Sequence, residues 1–172
     1  MEFAVRAARR DDLPALPAIE LAAATLLLEY APQLDLSYIT PADEFVEAME
    51  AGLLWVAEAD DRPVGFGLVE MLDGGQPHFE ELDVLPQYQR RGIGSELIRE
   101  ICRWFMSSSY RELTLTTFRH VPWNAAFYAR LGFELVPPSG YSDEIRRLVQ
   151  QESHFGLDPE LRVVMRYNPE FQ

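Results

Sequence analysis

The chain has 172 residues, 48% of them hydrophobic, and a formal net charge of −13. This length is typical of one domain, so we predict a single domain over residues 1–172. The acidic charge repels a phosphate backbone and argues against nucleic acid as a partner. No apolar run approaches the ~20 residues of a membrane span, and the first residues do not resemble a secretory signal. We therefore expect a cytoplasmic protein that does not bind membranes.

The first part of the chain predicts one short strand and two helices. Residues 3–6 alternate as a strand does. Asp11 or Asp12 is placed to cap a helix that continues through an Ala/Leu-rich stretch to near Tyr30. Thr40 is placed to cap the second helix, because a proline follows it at the favoured first helical position.

From residue 53 onwards, strands and helices alternate. The predicted elements are, in order, strands over 53–57, 64–69 and 79–84, a helix over 92–107, a strand over 113–116, a short helix over 123–130, a strand beginning at Phe133, a helix capped by Ser142, and a strand over 162–167. Turns join the first three strands and predict an antiparallel meander, whereas helices separate the later strands. We therefore predict a mixed α/β (α+β) fold.

A basic loop that contains two glycines precedes the helix over 92–107. The run is Leu82-Asp83-Val84-Leu85-Pro86-Gln87-Tyr88-Gln89-Arg90-Arg91-Gly92-Ile93-Gly94-Ser95. A helix start offers backbone N–H groups without helical partners and the positive end of the helix dipole, and both attract phosphate. Gly92 and Gly94 allow close approach, while the two arginines add positive charge. The run is not a dinucleotide fingerprint, because Leu97 occupies the last glycine position of that motif.

The remaining reactive side chains predict neither a disulfide nor a metal site. Cys102 is the one cysteine, and its helical spacing with apolar neighbours predicts a buried core thiol. The three histidines, His78, His120 and His154, lack the paired spacing of metal ligands. We therefore expect no metal.

A second segment, Asn124-Ala125-Ala126-Phe127-Tyr128-Ala129-Arg130-Leu131-Gly132-Phe133, combines with the basic loop. The loop resembles the acetyl-coenzyme A motif Q/R-x-x-G-x-G/A of the GNAT superfamily of N-acetyltransferases. The second segment is similar to the family's asparagine-then-tyrosine helix, which ends in Leu-Gly-Phe. Together the two segments cover the central third of the chain, in the family's order. The resemblance implies a mostly antiparallel central sheet with helices on both faces, and acetyl-coenzyme A as the cosubstrate.

The resemblance also implies a role for individual residues. The backbone of Leu82, Asp83 and Val84 would pair with the pantetheine arm, with Val84 near the thioester carbonyl. Asn124 would reach the pantetheine, and Tyr128 would lie at the sulfur and protonate the departing thiolate. The residues that would hold the pyrophosphate are Gln89, Arg90, Arg91, Gly92, Ile93, Gly94 and Ser95.

The family has no fixed general base. An ammonium with a pKa near 10 is neutral in only about one molecule in a thousand at pH 7, so a group must accept its proton before attack. Relatives often place a histidine or carboxylate on the strand before the loop, and the matching positions are His78 and Glu80. These two residues share a side of a regular strand. Glu81 faces the other side unless a bulge intervenes.

The resemblance implies a transferase that moves an acetyl group directly to a primary amine, either on a small molecule or on a peptide. Two alternatives stay open: a coenzyme A-binding sensor that lacks turnover, and a scaffold subunit with an unused pocket. The acceptor is not identified by any motif. The sequence also leaves the oligomeric state open, although relatives are often homodimers.

Overall fold

The computed structural model describes residues 2–170. The strands are β1 (Ala4–Ala7), β2 (Leu54–Ala59), β3 (Arg62–Met71), β4 (Pro77–Val84), β5 (Thr114–Phe118), β6 (Phe133–Val136) and β7 (Arg162–Tyr167). They form a sheet in the order β1-β2-β3-β4-β5-β7-β6. Neighbouring strands are antiparallel except β4 and β5, which are parallel and are therefore joined by a helical crossover.

Helices cover both faces of the sheet. They are α1 (Leu16–Thr25), α2 (Ala42–Glu50), α3 (Ile93–Ser107), α4 (Asn124–Ala129) and α5 (Asp143–Gln151). The apolar stripe of α3 is buried against β1 to β4, and α4 packs on the same face against β5 and β6. On the opposite face, α1 and α2 pack over β3 and its neighbours, and α5 packs on β7. The predicted mostly antiparallel sheet with helices on both faces is confirmed.

The two N-terminal helices begin differently from the prediction. Asp12 does not cap α1; its buried carboxylate pairs with Arg6 Nη1 at 2.7 Å, inside a 3-10 turn that precedes the helix. Thr40 does not cap α2, which begins after Pro41. The Thr40 backbone N–H and hydroxyl instead donate to Glu20 at 2.9 and 3.2 Å. Glu20 is buried and has no arginine within ion-pair distance among residues 2–170, so it takes both donors of Thr40.

The parallel pair of strands at the centre of the sheet is joined at one end only. His78 pairs with Thr114 and Phe79 with Leu115, and the two strands then separate. Gln76 Oε1 holds the joined end, because it accepts the backbone N–H groups of Arg111 and Glu112 at 3.0 and 3.1 Å. The separation leaves an opening in the sheet between the later residues of β4 and β5.

Candidate active site

The opening between β4 and β5 is part of a cleft of about 1250 Å³. The start of α3 and one side of α4 line it on one face of the sheet, whereas α1, the chain that follows α1, and α5 line it on the other face. The cleft therefore passes through the sheet. It brings together most of the residues that the sequence singled out, namely His78, Glu80, Leu82, Asp83, Val84, Gln89, Arg90, Gly92, Ile93, Gly94, Ser95, Asn124 and Tyr128.

The loop before α3 turns sharply at two residues with positive φ. Arg90 has φ +59° and Gly92, the residue that caps α3, has φ +87°. Left-handed residues in such a loop point backbone N–H groups into a common concavity, which is suited to an anion. The first-turn N–H groups of Ile93, Gly94 and Ser95 have no carbonyl to bind within the helix. The positive end of α3 therefore faces the cleft with donors that fit a phosphate.

The edge of β4 that faces the opening presents backbone donors. Leu85 N–H donates to Val64 C=O at 2.9 Å on the β3 side. Because N–H groups alternate along an antiparallel strand, those of Leu82 and Val84 point away from β3 and into the opening. Gln89 Nε2 donates to the Val84 carbonyl at 3.2 Å, which ties the loop to this edge. The edge is thus suited to an extended ligand that pairs like a strand.

Helix α4 directs Asn124 and Tyr128, which are four residues apart and share a face, toward the cleft. The Tyr128 ring packs against Phe79, Phe127 and Phe133, with centroid distances of 6.5, 5.2 and 6.0 Å. Burial raises the pKa of Tyr128, and the nearby Asp83 raises it further. The phenol therefore keeps its proton throughout the neutral range and is a hydrogen-bond and proton donor in the cleft.

A β-bulge at Glu80 changes the orientation expected for the acidic residues of β4. Phe79 pairs with Val69 and Glu81 pairs with Leu68, so Glu80 is an extra residue without a partner on β3. The alternation of a regular strand, which would have placed Glu81 on the side opposite His78 and Glu80, therefore does not continue beyond Glu80. The bulge instead turns Glu81 toward the face of α1, and both glutamates line the cleft.

Glu80 is reached by solvent through the cleft, yet protein surrounds its carboxyl. Desolvation raises its pKa to about 8, and the negative charge of Glu70 contributes to this shift. Glu70, opposite His78 on β3, has a pKa raised to about 7, mainly by desolvation. A carboxyl with a pKa near neutrality is suited to accept a proton from an ammonium.

His78 has a different environment from Glu80. It is 2% exposed, and its Nδ1 lies 2.8 Å from Thr114 Oγ1. Burial and the charge of Arg162 lower its pKa to about 3, so the ring is neutral at pH 7 and weakly basic. The geometry therefore favours Glu80 over His78 as a proton acceptor.

Among the acidic residues of the cleft that the sequence did not single out are Glu20 on α1 and Glu70 on β3. Burial raises the pKa of Glu20, as it does for Glu81 and Asp83 on β4. Glu20 and Glu70 each interrupt an apolar run, and this interruption was the available sequence signal. Burying an isolated carboxylate raises the free energy of the folded protein, and a ligand or a hydrogen-bond partner must offset this increase.

Other predicted features are located away from this chemistry. Cys102 is buried in the core under α3, and desolvation raises its pKa to about 12, which confirms a core thiol without nucleophilic character. Within residues 2–170, no three His, Cys, Asp or Glu side chains are grouped to hold a metal ion. In the same part of the chain, no helix combines the length and apolarity that a bilayer crossing needs. Arg91 stacks over Tyr88 at the outside of the loop, with its guanidinium carbon 5.8 Å from the ring centroid.

A sequence profile described as the acetyltransferase (GNAT) family matches residues 21–133. Among solved structures, PaiA N-acetyltransferase from Thermoplasma acidophilum in complex with coenzyme A is similar, with a TM-score of 0.71 and 14% identity over 98% of this chain and 99% of that chain. Naa50 from Arabidopsis thaliana in complex with the bisubstrate analogue CoA-Ac-MVNAL has a TM-score of 0.65 and 20% identity over 98% and 99%. N-acetylglutamate synthase from Neisseria gonorrhoeae, complexed with coenzyme A and N-acetyl-glutamate, has a TM-score of 0.69 and 15% identity over 97% of this chain and 35% of that chain. At these identities the structural likeness is one of fold.

Proposed function

Because the chain belongs to the acetyltransferase (GNAT) family, we propose that it transfers an acetyl group from acetyl-coenzyme A directly to a primary amine. The observation that carries the proposal is the opening between β4 and β5, which joins an anion-binding loop on one face to an acid-lined cleft on the other. An extended thioester and an amine can meet at the exposed edge of β4. The coenzyme A bound in similar folds supports the same cosubstrate.

The residues of this chain fit acetyl-coenzyme A in three places. The N–H groups at the start of α3, together with Gln89 and Arg90, would hold the pyrophosphate, whereas Arg91, which stacks over Tyr88 and does not line the cleft, would contribute only positive charge nearby. The edge of β4 would pair with the pantetheine arm, and Asn124 would contact its other side. The N–H of Leu82 or Val84 would donate to the thioester carbonyl, and such a fixed donor stabilises the charge that develops on that oxygen during attack.

The acceptor nitrogen loses two protons on the way from ammonium to amide. Glu80 accepts one proton from the acceptor ammonium, and the neutral nitrogen then attacks the thioester carbonyl carbon. The carbon–nitrogen bond forms and the carbon–sulfur bond breaks, with the electron pair leaving on sulfur. Tyr128 donates its proton to that sulfur and regains one from the acetylated nitrogen. The products are an amide and free coenzyme A, and the proton held by Glu80 is released to solvent.

A thiol-release assay against a panel of amines tests the proposal, run beside calorimetric titration with acetyl-coenzyme A. The proposal predicts binding together with amine-dependent thiol release. All 15 basic residues are arginine, so the chain has no lysine side chain that could become acetylated and raise the background. Binding without release on any amine would contradict transfer and favour the coenzyme A sensor.

A further inference from the structure

We propose that the acceptor is an aliphatic diamine or polyamine, whose reacting nitrogen lies beside Glu80 while a second ammonium is held by Glu81 and Asp83. This inference rests on the proposed function and names its substrate class. Three features of residues 2–170 support it: carboxyl groups that no arginine pairs, one buried oxygen atom and the aromatic residues at the entrance.

Four carboxyl groups lie together on the floor of the cleft. No arginine lies within ion-pair distance of Glu70, Glu80, Glu81 or Asp83 in the described range 2–170. Nearby Glu152 shows the contrast, because Arg162 Nε donates to it at 2.8 Å. Arg162 is thus already paired, so protons balance the carboxyl groups of the floor until a cation displaces them.

Glu81 contains the atom that points most directly to a cation. Its Oε2 is fully buried and has no hydrogen-bond partner within residues 2–170. The Thr40 hydroxyl, between Glu20 and Glu81, donates to Glu20 at 3.2 Å. A buried carboxylate oxygen without a donor is costly, and an ammonium offers three donors and the opposite charge.

The four carboxyl groups form two pairs: Glu70 on β3 with Glu80 on β4, and Glu81 with Asp83 on β4. Glu70 is the first charge that acts on Glu80, and Asp83 is the first that acts on Glu81. Glu80 and Asp83 are three residues apart on β4 with the bulge between them, so the rise of about 3.3 Å per residue places their backbones roughly 7–10 Å apart. An aliphatic chain of a few methylene groups spans that distance. One ammonium at each pair would offset the repulsion within it.

Aromatic side chains surround the entrance above this acidic floor. Tyr38 packs on Phe155 with ring centroids 4.0 Å apart, and Tyr30 packs edge-to-face on Trp123 at 4.8 Å. All four rings line the cleft, and Tyr38 and Trp123 are 44% and 49% exposed. Aromatic faces attract ammonium groups and accept methylene chains, whereas a free carboxylate gains nothing from them. The aromatic entrance and the acidic floor together favour an acceptor that has an alkyl chain and more than one positive charge.

Three acceptors of matched length test the inference: 1,5-diaminopentane, pentylamine and 6-aminohexanoate. Each has a primary amine, and the far end is positive, neutral or negative. We expect kcat/KM for the diamine to exceed that for pentylamine about tenfold or more, beyond the statistical factor of its two amines, because a charged hydrogen bond is lost. The amino acid should be the poorest acceptor. If the three acceptors turn over with equal kcat/KM, or if the order is reversed, the inference is wrong and the proposed function still stands. If no amine releases thiol, the proposed function itself is wrong.

Glu81→Gln locates the second ammonium. The amide keeps the shape of the side chain, and we expect the preference for the diamine over pentylamine to fall about tenfold. Glu134→Gln is the matched control: it removes the same charge from an exposed residue of β6, and its amide oxygen can still accept from Asn168. A Glu81→Gln enzyme that retains the wild-type preference would exclude Glu81 from the site.

Discussion

The pH dependence of acetyl transfer follows from the environment of Glu80. Burial and the charge of Glu70 raise the Glu80 pKa from 4.5 to about 8. The deprotonated, basic form is therefore a minority at neutral pH, roughly one molecule in ten at pH 7 and one in a hundred at pH 6. If Glu80 is the base, kcat/KM rises about tenfold per pH unit up to pH 8 and levels above it. A carboxyl with an ordinary pKa would give no rise in this range.

The measurement is kcat/KM for a primary amine from pH 6 to about pH 10.5, because this parameter reports groups of the free enzyme and free substrate. The amine adds a falling limb near its own pKa of about 10. Glu80→Gln should lower the rate and remove the rising limb, while calorimetry shows unchanged affinity for acetyl-coenzyme A. His78→Gln is the comparison, since its amide can still bond the Thr114 hydroxyl and the pKa of about 3 keeps His78 neutral throughout. It should retain the limb.

Two results would refute this account of the base. One is a wild-type kcat/KM that does not change between pH 6 and about pH 9, because it would mean that no group of raised pKa controls the reaction. The other is a Glu80→Gln enzyme that retains the rise through pH 8. If the His78→Gln enzyme instead lost the rise of kcat/KM with pH, His78 would be the general base.

Three further predictions concern the proton donor Tyr128, the loop before α3, and the dependence of stability on pH. Tyr128→Phe keeps the ring packing and removes the proton donor, so kcat should fall about 10²–10⁴-fold if protonation limits the rate; unaltered kcat at saturating substrates excludes the role. Gly92→Ala should cost about 1–2 kcal/mol in urea unfolding, because φ is +87°, and should weaken acetyl-coenzyme A binding; Gly75→Ala, at a residue with φ +73° and open space around it that does not line the cleft, is the control and should lower stability similarly but keep the binding. The raised pKa values of Glu70 and Glu80, about 7 and about 8, mean that the folded protein holds protons that the unfolded chain releases above 4.5. The free energy of unfolding should thus fall as pH rises from about 4.5 to 8, and Glu80→Gln should flatten the fall.

The parts of the site that depend on local sequence were predictable. The loop before α3 needs glycine at Gly92, where φ is positive, and this requirement is visible in the sequence. The i, i+4 spacing of Asn124 and Tyr128 places both on one face of α4 wherever that helix packs. The order of strands and helices followed from their apolar periods, and β7 has the predicted bounds, Arg162–Tyr167.

The acidic half of the cleft was not predictable, because it depends on contacts between distant segments. The bulge at Glu80 is a mismatch between β3 and β4, and it appears only when both strands are paired. Thr40 has the residue type of a helix cap, but Glu20, twenty residues earlier, takes its donors. Glu70 reaches the cleft because β3 runs beside β4. Residue type and spacing alone do not reveal these contacts between distant segments.

Direct transfer to an amine can be followed with an isotopically labelled acetyl group. The protein is incubated with labelled acetyl-coenzyme A and 1,5-diaminopentane, and mass spectrometry is applied to the amine and to the intact chain. The account predicts one labelled acetyl group on the amine and none on the protein, because Cys102 is buried with a pKa of about 12 and the chain contains no lysine. A labelled protein that passes its acetyl group to the amine, or a thioester consumed without a labelled amine, would contradict the account.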